Sequence, residues 1–93
     1  MRVPTFDLTL LRTLVAIADT GSVTAAAKRL AYTQSTVSMQ LQRLEAQLAV
    51  SLHERDGRRL RFTAEGERLL AHARRLLALN DEAWSDMQAR QIT

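Results

Sequence analysis

The chain of 93 residues, 46% of them hydrophobic, is long enough for one domain with a modest core, and a domain of this size often buries its remaining apolar surface against a partner. Its formal net charge is +3, and all thirteen basic residues except Lys28 are arginines, the side chain best suited to phosphate groups. The lack of cysteine excludes disulfides and thiolate metal sites, the lack of an apolar run of about 20 residues excludes a membrane-spanning helix, and 4% aromatic residues argue against stacking on single-stranded bases.

The first two helices are predicted from their caps and their apolar spacing. Asp7 is placed to cap a first helix, in which apolar residues recur at helical spacing as far as Gly21. Ser22 is placed to cap a second helix, in which consecutive alanines permit close packing and Lys28 points outward. Most of the first helix is therefore expected to lie in the core.

A helix-turn-helix is predicted over residues 23–48. Ala27, Ala31 and Val37 occupy the places where this motif needs a small residue, a tight corner and an apolar contact between the helices. Thr33 is placed to cap the second helix of the pair. The motif is a candidate for reading double-stranded DNA.

The second helix of this motif is predicted to have an apolar inner face and a polar outer face. Its inner residues recur at helical spacing: Val37, Leu41, Leu44 and Leu48. The residues left on its other faces are mostly short and uncharged: Gln34, Ser35, Ser38, Met39 and Gln42. Amides and hydroxyls can bond to base edges in the major groove. From the spacing alone, a DNA-reading helix and an ordinary solvated face are equally open.

A β-hairpin is predicted where Asp56-Gly57 stands between two short segments. Leu60 and Phe62 alternate with arginines, so the second strand should bury one face and expose arginine on the other. Four arginines crowd this hairpin: Arg55, Arg58, Arg59 and Arg61. A charge run is commonly a solvated face, but beside a candidate recognition helix it favours contact with phosphates or the minor groove.

A long helix is predicted after Thr63, which is placed to cap it, and it continues to about Arg90, roughly 40 Å. One stripe runs along it: Leu69, Leu70, Ala73, Leu76, Leu77, Asn80, Trp84 and Met87. The stripe extends beyond what the preceding residues can cover, so we expect a partner helix, most simply that of a second copy. The alternative is a frayed tail after about Leu79.

From about residue 7 to residue 79, the chain resembles the N-terminal winged helix-turn-helix and linker helix of LysR-type bacterial transcription regulators. The order and spacing agree without a gap, at Gly21-Ser22, Ala26-Ala27, Leu30, Gln34, Val37-Ser38, Leu44-Glu45, Leu48, Leu52, Glu54-Arg55, Thr63 and Gly66. The resemblance implies a mainly α fold, in which residues 1–62 form a three-helix winged helix-turn-helix with a short two-stranded β wing. Residues 63–93 would then form the long linker helix that joins two copies, through the stripe given above.

The resemblance also implies roles for individual residues, because members insert the recognition helix into the major groove of an interrupted inverted repeat near a promoter. Base contacts are expected from Gln34, Ser35, Thr36, Ser38 and Met39. Contacts of the backbone or the wing are expected from Lys28, Thr33, Gln42, Arg43, Arg55, Arg58, Arg59 and Thr63. For Lys28 and Arg43, a solvated side chain that contacts no phosphate is an equal alternative.

The chain departs from the family pattern at three instructive positions. Met39 stands where arginine is frequent, and its thioether can pack on a thymine methyl and so alter the sequence preference. Ala49 replaces the usual glycine after the recognition helix, which costs on the order of 1 kcal/mol if the left-handed conformation is kept. His53 replaces a core phenylalanine and is expected to be a neutral, partly buried filler, with a pH-sensing role as the alternative.

The sequence therefore predicts sequence-specific binding of double-stranded DNA by a homodimer. The alternative is a protein-interaction module with vestigial DNA binding. Catalysis is not expected, because no serine, histidine or carboxylate has the spacing of a nucleophilic or metal-ligand set. No cofactor is therefore expected in this chain.

The resemblance further implies a C-terminal domain that binds a small-molecule effector and drives tetramer formation in full-length members. That domain is absent from this chain, which stops near the family's hinge, so we expect the N-terminal part of a longer cytoplasmic regulator. A natural short form is the alternative.

Overall fold

The computed structural model describes residues 4–57 and 59–92 and contains four helices and one hairpin. The elements follow in the order α1 (Leu8–Thr20), α2 (Val23–Leu30), α3 (Gln34–Leu48), β1 (His53–Asp56), β2 (Arg59–Phe62) and α4 (Ala64–Ile92). The predicted fold, a mainly α winged helix-turn-helix with a long C-terminal helix, is confirmed.

Each helix begins at the cap that the sequence predicts. The side chains of Asp7, Ser22, Thr33 and Thr63 each accept a hydrogen bond from a backbone N–H two or three residues later, at 2.9 to 3.1 Å. These bonds satisfy N–H groups that a helix leaves without an internal partner. Local sequence therefore fixes where all four helices start.

The first three helices each end at a residue in the left-handed conformation. Gly21 ends α1 with φ +84°, Ala31 ends α2 with φ +59°, and Ala49 ends α3 with φ +55°. Ala31 thus makes the tight corner of the helix-turn-helix. The two alanines carry a steric cost of about 1 kcal/mol each that glycine would avoid, and they lie immediately before and after the segment that contains α3.

The core forms where α1 meets the other three helices. Leu11 and Leu14 of α1 are fully buried, as are Leu44 of α3 and Leu52, which precedes the hairpin. The core is completed by further aliphatic residues, namely Leu10, Ala16, Ile17, Val23, Ala26, Ala27, Val37, Leu41, Leu69, Ala73 and Leu77. The recognition helix therefore rests on α1 and α2, and α4 covers the other side of α1.

Three residues predicted to form the dimer interface lie instead inside the protomer. Leu69, Ala73 and Leu77 are only 7%, 0% and 7% exposed, because the first half of α4 packs along α1. The prediction for these three is wrong. The core of the helix-turn-helix also includes residues of α4, which follow the predicted boundary after residue 62.

The predicted stripe continues beyond the core into the second half of α4. Leu70 and Asn80 are half-buried, whereas Leu76, Trp84 and Met87 are exposed, Trp84 by 68%. Successive steps of three or four residues place Trp84 and Met87 on the line of Leu77. The same apolar face thus packs on α1 over its first half and is uncovered afterwards.

Two ion pairs join the antiparallel helices α1 and α4. Arg12 donates to Asp81 at 2.6 Å, and Arg74 donates to Asp19 at 2.7 Å. The hydrogen bond from Arg74 holds the pKa of Asp19 below its ordinary value, and the hydrogen bonds from Arg12 and Asn80 do the same for the pKa of Asp81. All four charged side chains are largely solvated, so these pairs orient the helices more than they stabilise them.

The wing is an antiparallel hairpin. Its strand pairing includes Asp56, which the sequence places in the turn. Asp56 pairs with Arg59, so Asp56 closes β1 and the turn begins at Gly57, with φ +66°. Leu60 and Phe62 are half-buried while Arg59 and Arg61 are exposed, which confirms the predicted alternation.

The wing is attached to α4 through a close approach of two backbones. A Cβ on Gly66 would lie 2.1 Å from the carbonyl oxygen of Leu52, which is closer than any side chain can pack. Glycine is therefore required where α4 crosses the segment that leads into β1.

Candidate nucleic-acid interface

Helix α3 has one face sealed in the core and one face open. Val37, Leu41 and Leu44 are at most 2% exposed. The exposed residues of its first three turns are Gln34, Ser35, Met39, Gln42 and Arg43, and Thr36 and Ser38 are half-buried. The helix therefore cannot turn its polar face elsewhere without opening the core.

The polar face of α3 has a centre and two flanks. At 100° per residue, Ser35, Met39 and Gln42 lie nearly opposite the buried line. Gln34 and Ser38 lie on one flank. Thr36 and Arg43 lie on the other. The centre carries no formal charge, so hydrogen bonding and apolar contact are the interactions it offers to a ligand.

The flank with Gln34 adjoins the wing. Gln34, Arg55 and Leu60 line one cleft together with the start of α2, including Ser22 and Thr24. Arg55 pairs with Leu60 across the hairpin and so shares its face of the sheet. The structure thus brings an amide from α3 and a guanidinium from the wing into one cleft, although 21 positions separate the two residues in the sequence.

The other face of the wing is balanced in charge. Arg59 lies opposite Asp56, and Arg61 lies opposite Glu54. Arg61 also donates to the Asp56 carboxylate at 3.4 Å. The predicted basic patch is therefore divided, with Arg55 towards α3 and Arg59 near the tip. Arg58 lies outside the described residues.

The hydroxyl of Thr63 has two partners inside the chain. Its hydroxyl donates to the carbonyl oxygen of Ser51 at 2.7 Å while accepting from the N–H of Gly66. The hydroxyl proton is thus directed to Ser51 and the predicted cap is confirmed, while a contact of Thr63 with phosphate stays a prediction. It joins the segment before β1 to the start of α4.

Two other predicted backbone contacts are open to solvent. Thr33 is exposed, and its hydroxyl donates to the hydroxyl of Thr36 at 2.9 Å while capping α3. Lys28 is exposed in the last turn of α2. Its neighbour Arg29 lies 3.9 Å from Asp19 and so faces α1. Exposure agrees with a ligand contact for Thr33 and Lys28, and equally with solvation.

Polar contacts of Glu45 and of Thr13 behind the interface could not be predicted from the sequence. Glu45 accepts from the N–H of Leu52 at 2.8 Å and lies 2.9 Å from Nδ1 of His53. Thr13, in α1, donates to the amide oxygen of Gln40 in α3. None of these contacts has a local sequence signal, because packing alone brings the partners together. His53 is partly buried, with 24% of its side chain exposed, as expected of a filler.

Two negative findings apply to the described part of the chain, residues 4–57 and 59–92. No group of three or more His, Cys, Asp or Glu side chains there has a geometry that could hold a metal ion. None of the helices there combines the length and the apolar character needed to cross a membrane.

Comparison with known proteins gives consistent matches. Residues 8–67 match the model of the bacterial regulatory helix-turn-helix proteins of the lysR family. The chain is 44% identical over 86 residues to the HTH-type transcriptional regulator PecT of Dickeya dadantii (strain 3937), covering 92% of this chain and 27% of PecT. It is 41% identical over 87 residues to the regulator DgdR of Burkholderia cepacia, covering 94% and 30%. The chain thus spans less than a third of these relatives.

Solved structures match over nearly the whole chain. The DNA-binding domain of CbnR in complex with DNA superposes with a TM-score of 0.83 at 38% identity, covering 91% of this chain and 98% of that one. The DNA-binding domain of BenM in complex with catB site 1 DNA gives 0.85 at 34% identity, covering 90% and 94%. The family match, the fold and the two-sided helix α3 agree: the chain belongs to the lysR family of bacterial regulatory helix-turn-helix proteins and forms the DNA-binding domain of such a regulator.

Proposed function

We propose that the chain binds double-stranded DNA in a sequence-specific manner, with α3 in the major groove and the wing beside it. The observation that carries this proposal is the two-sided packing of α3, which is sealed in the core on one face and open and uncharged at the centre of the other. An α-helix fits the major groove, where each base pair has a distinct pattern of donors and acceptors. The CbnR and BenM domains that this chain resembles form complexes with DNA, which supports DNA binding.

Within this proposal, residues divide by what they contact. Gln34, Ser35, Thr36, Ser38 and Met39 contact base edges. Lys28, Thr33, Gln42, Arg43, Arg55, Arg58 and Arg59 contact the sugar-phosphate backbone. Bases supply the sequence information, and phosphates supply orientation and affinity. Gln34 and Arg55 line one cleft, which supports a joint approach of helix and wing to the same stretch of DNA.

We further propose that two copies associate through the second half of α4. The exposed Leu79, Trp84 and Met87 give that half an apolar surface, which begins at Leu76 just before it, and Trp84 and Met87 continue the line buried against α1. An isolated amphipathic helix of this kind is marginal in water and gains stability from a partner. A symmetric pair presents two recognition helices, which is the arrangement that an interrupted inverted repeat requires.

This function is regulatory and takes place on the bacterial chromosome, in the cytoplasm, without catalysis or a cofactor in this part of the protein. The relatives are named transcriptional regulators, which supports this role. For the whole protein, we propose a further domain that binds a small-molecule effector and extends the dimer to a tetramer.

Selection from a pool of random duplexes tests the proposed DNA binding. We expect enrichment of an interrupted inverted repeat whose half-sites lie about one helical turn, or a multiple of it, apart. Binding should weaken steeply as salt is raised. Failure to enrich any sequence, together with weak salt dependence, would contradict DNA binding and favour the protein-interaction module.

Paired variants of α4 test the association of two copies. Trp84→Glu places a charge on the exposed apolar face and should shift the chain from dimer to monomer in size measurements. Ser85→Glu adds the same charge about 100° further round the helix, off the line of Trp84 and Met87, and should leave the dimer intact. The same oligomeric state in both variants would contradict an interface on that face.

A further inference from the structure

The recognition helix is held mainly by contacts that have no preferred direction. Val37, Leu41 and Leu44 are aliphatic, and aliphatic burial is roughly proportional to area whatever the exact orientation. A rotation of α3 by about 20° would move its outer side chains by about 2 Å, given a helix radius of about 5–6 Å with side chains. Reading base edges requires placement within about 0.5 Å. Something more directional is needed to fix the rotation.

Thr13 supplies a directional contact from the interior. It is 1% exposed, the one polar side chain in the buried class among residues 4–57 and 59–89. Its hydroxyl donates to the amide oxygen of Gln40, and the carbonyl oxygen of Thr9 lies 3.4 Å away on the same helix. A hydrogen bond weakens steeply when its angle or its length departs from the optimum. The bond therefore resists rotation of α3 relative to α1.

Gln40 is well placed to transmit this restraint. It is half-buried, it follows Met39 of the outer line directly, and it precedes the buried Leu41. Because the pair lies beneath the polar face rather than on it, neither side chain needs to reach DNA. A buried polar pair that is satisfied only in one arrangement is a known means of specifying register.

We infer that Thr13 and Gln40 are a positioning pair that fixes the rotation of the recognition helix, and through it the sequence preference. This inference rests on the proposed DNA binding. It assigns to α1 a part in specificity, although α1 presents none of the proposed DNA contacts. Loss of the bond should lower discrimination between sequences more than it lowers binding to DNA in general.

The test compares Thr13→Val with Thr13→Ser. Valine keeps the shape and removes the hydroxyl, whereas serine keeps the hydroxyl. Each variant is measured for affinity to the selected operator and to a shuffled duplex of the same composition. We expect the ratio of the two affinities to fall by about threefold to tenfold in Thr13→Val and to stay within about twofold of the original in Thr13→Ser. Affinity for the shuffled duplex and its salt dependence should be unchanged.

Two further variants keep the outcome decisive. Thr9→Val makes the same substitution on the exposed side of α1 and should leave the ratio unchanged. Gln40→Met removes the acceptor of the same hydrogen bond and should lower the ratio of operator to shuffled affinity by a similar factor. Because Gln40 is only half-buried, this variant can replace Thr13→Val if Thr13→Val does not fold. An unchanged ratio in a folded Thr13→Val or Gln40→Met, or an equal loss in Thr13→Ser, overturns the inference.

The unaltered chain separates failure of the inference from failure of the proposed function. If the unaltered chain discriminates between operator and shuffled duplex and Thr13→Val does so equally well, only the positioning role fails. If the unaltered chain shows no discrimination, the proposed function fails and the inference fails with it.

Discussion

The recognition helix and the wing are neighbours on one surface, but the core holds them very differently. Helix α3 buries Val37, Leu41 and Leu44 almost completely, whereas the hairpin has strands of four residues and half-buries only Leu60 and Phe62 on β2. The centre of the α3 face is uncharged, and the wing carries arginines. One element is deeply buried and uncharged at the centre of its open face, and the other is only half-buried and carries charged side chains.

This difference matches the physical demands of two kinds of contact. Hydrogen bonds to base edges lose strength with small displacements, so the side chains that make them need a rigid support. The attraction between a guanidinium and a phosphate falls off slowly with distance and tolerates movement. The domain can therefore support its reading helix by close packing of the core and rely on charge in the wing.

The largest expected effect comes from truncating a buried side chain of α3. Leu44→Ala should lower the free energy of unfolding by about 2–5 kcal/mol, because Leu44 is fully buried. Leu60→Ala removes a half-buried side chain from the wing and should cost clearly less, about 1 kcal/mol. Denaturant unfolding of both variants checks the difference, and equal losses would show that helix and wing are supported equally.

Replacing the left-handed alanine that ends α3 should increase the stability of the domain. Ala49→Gly relieves a left-handed alanine with φ +55° and should raise the free energy of unfolding by about 0.5–1 kcal/mol. Ala46→Gly, on the exposed face inside α3, should lower it by a similar amount. Two changes of the same sign in thermal unfolding would contradict the role assigned to the conformation of Ala49.

A smaller effect is expected from the single large apolar side chain at the centre of the α3 face. Met39 is 52% exposed, and under the proposed DNA binding its thioether packs on a thymine methyl. Replacing thymine by deoxyuridine at one operator position should weaken binding about fourfold, the equivalent of about 0.8 kcal/mol for one methyl group. With Met39→Gln, that position should become insensitive to the replacement. The same loss with both proteins would exclude Met39 from methyl recognition.

The smallest effect concerns the ion pairs that hold α4 against α1. The Arg74 hydrogen bond lowers the pKa of Asp19 in the folded chain, so the folded state binds this proton less readily than the unfolded state. The resulting stability is present above the ordinary pKa of 3.8 and is lost as pH falls through the lowered value. Asp19→Asn should therefore lower the melting temperature slightly at pH 5 and not at pH 2. A difference that persists at pH 2 would require another cause.

What the sequence predicts well in this fold is local. Caps such as Asp7 and Thr33 act on N–H groups two or three residues away, and the alternation around Leu60 needs only neighbouring residues. Resemblance to the family adds the order of the elements and the candidate contacts on α3. Both kinds of information are carried by short, continuous stretches of chain.

What the sequence leaves open is which surfaces meet. The stripe on α4 has one periodicity throughout, so it does not reveal that Leu69, Ala73 and Leu77 pack on α1 while Trp84 stays exposed. The hydroxyl of Thr63 can serve a phosphate or a carbonyl oxygen, and only the fold brings Ser51 to it. The Thr13–Gln40 bond likewise depends on how two helices cross.

The most direct test of the contrast between helix and wing measures Gln34→Ala and Arg59→Ala side by side. Each variant is titrated with the selected operator, with the set of its single-base changes and with a shuffled duplex, over a range of salt concentrations. Gln34→Ala should lose discrimination at one base position, worth about 1–3 kcal/mol, and keep the salt slope. Arg59→Ala should bind all sequences more weakly and flatten the slope by about one unit. Uniform loss on all sequences with Gln34→Ala, or loss of preference at one base with Arg59→Ala, would contradict the division between a reading helix and a charged wing.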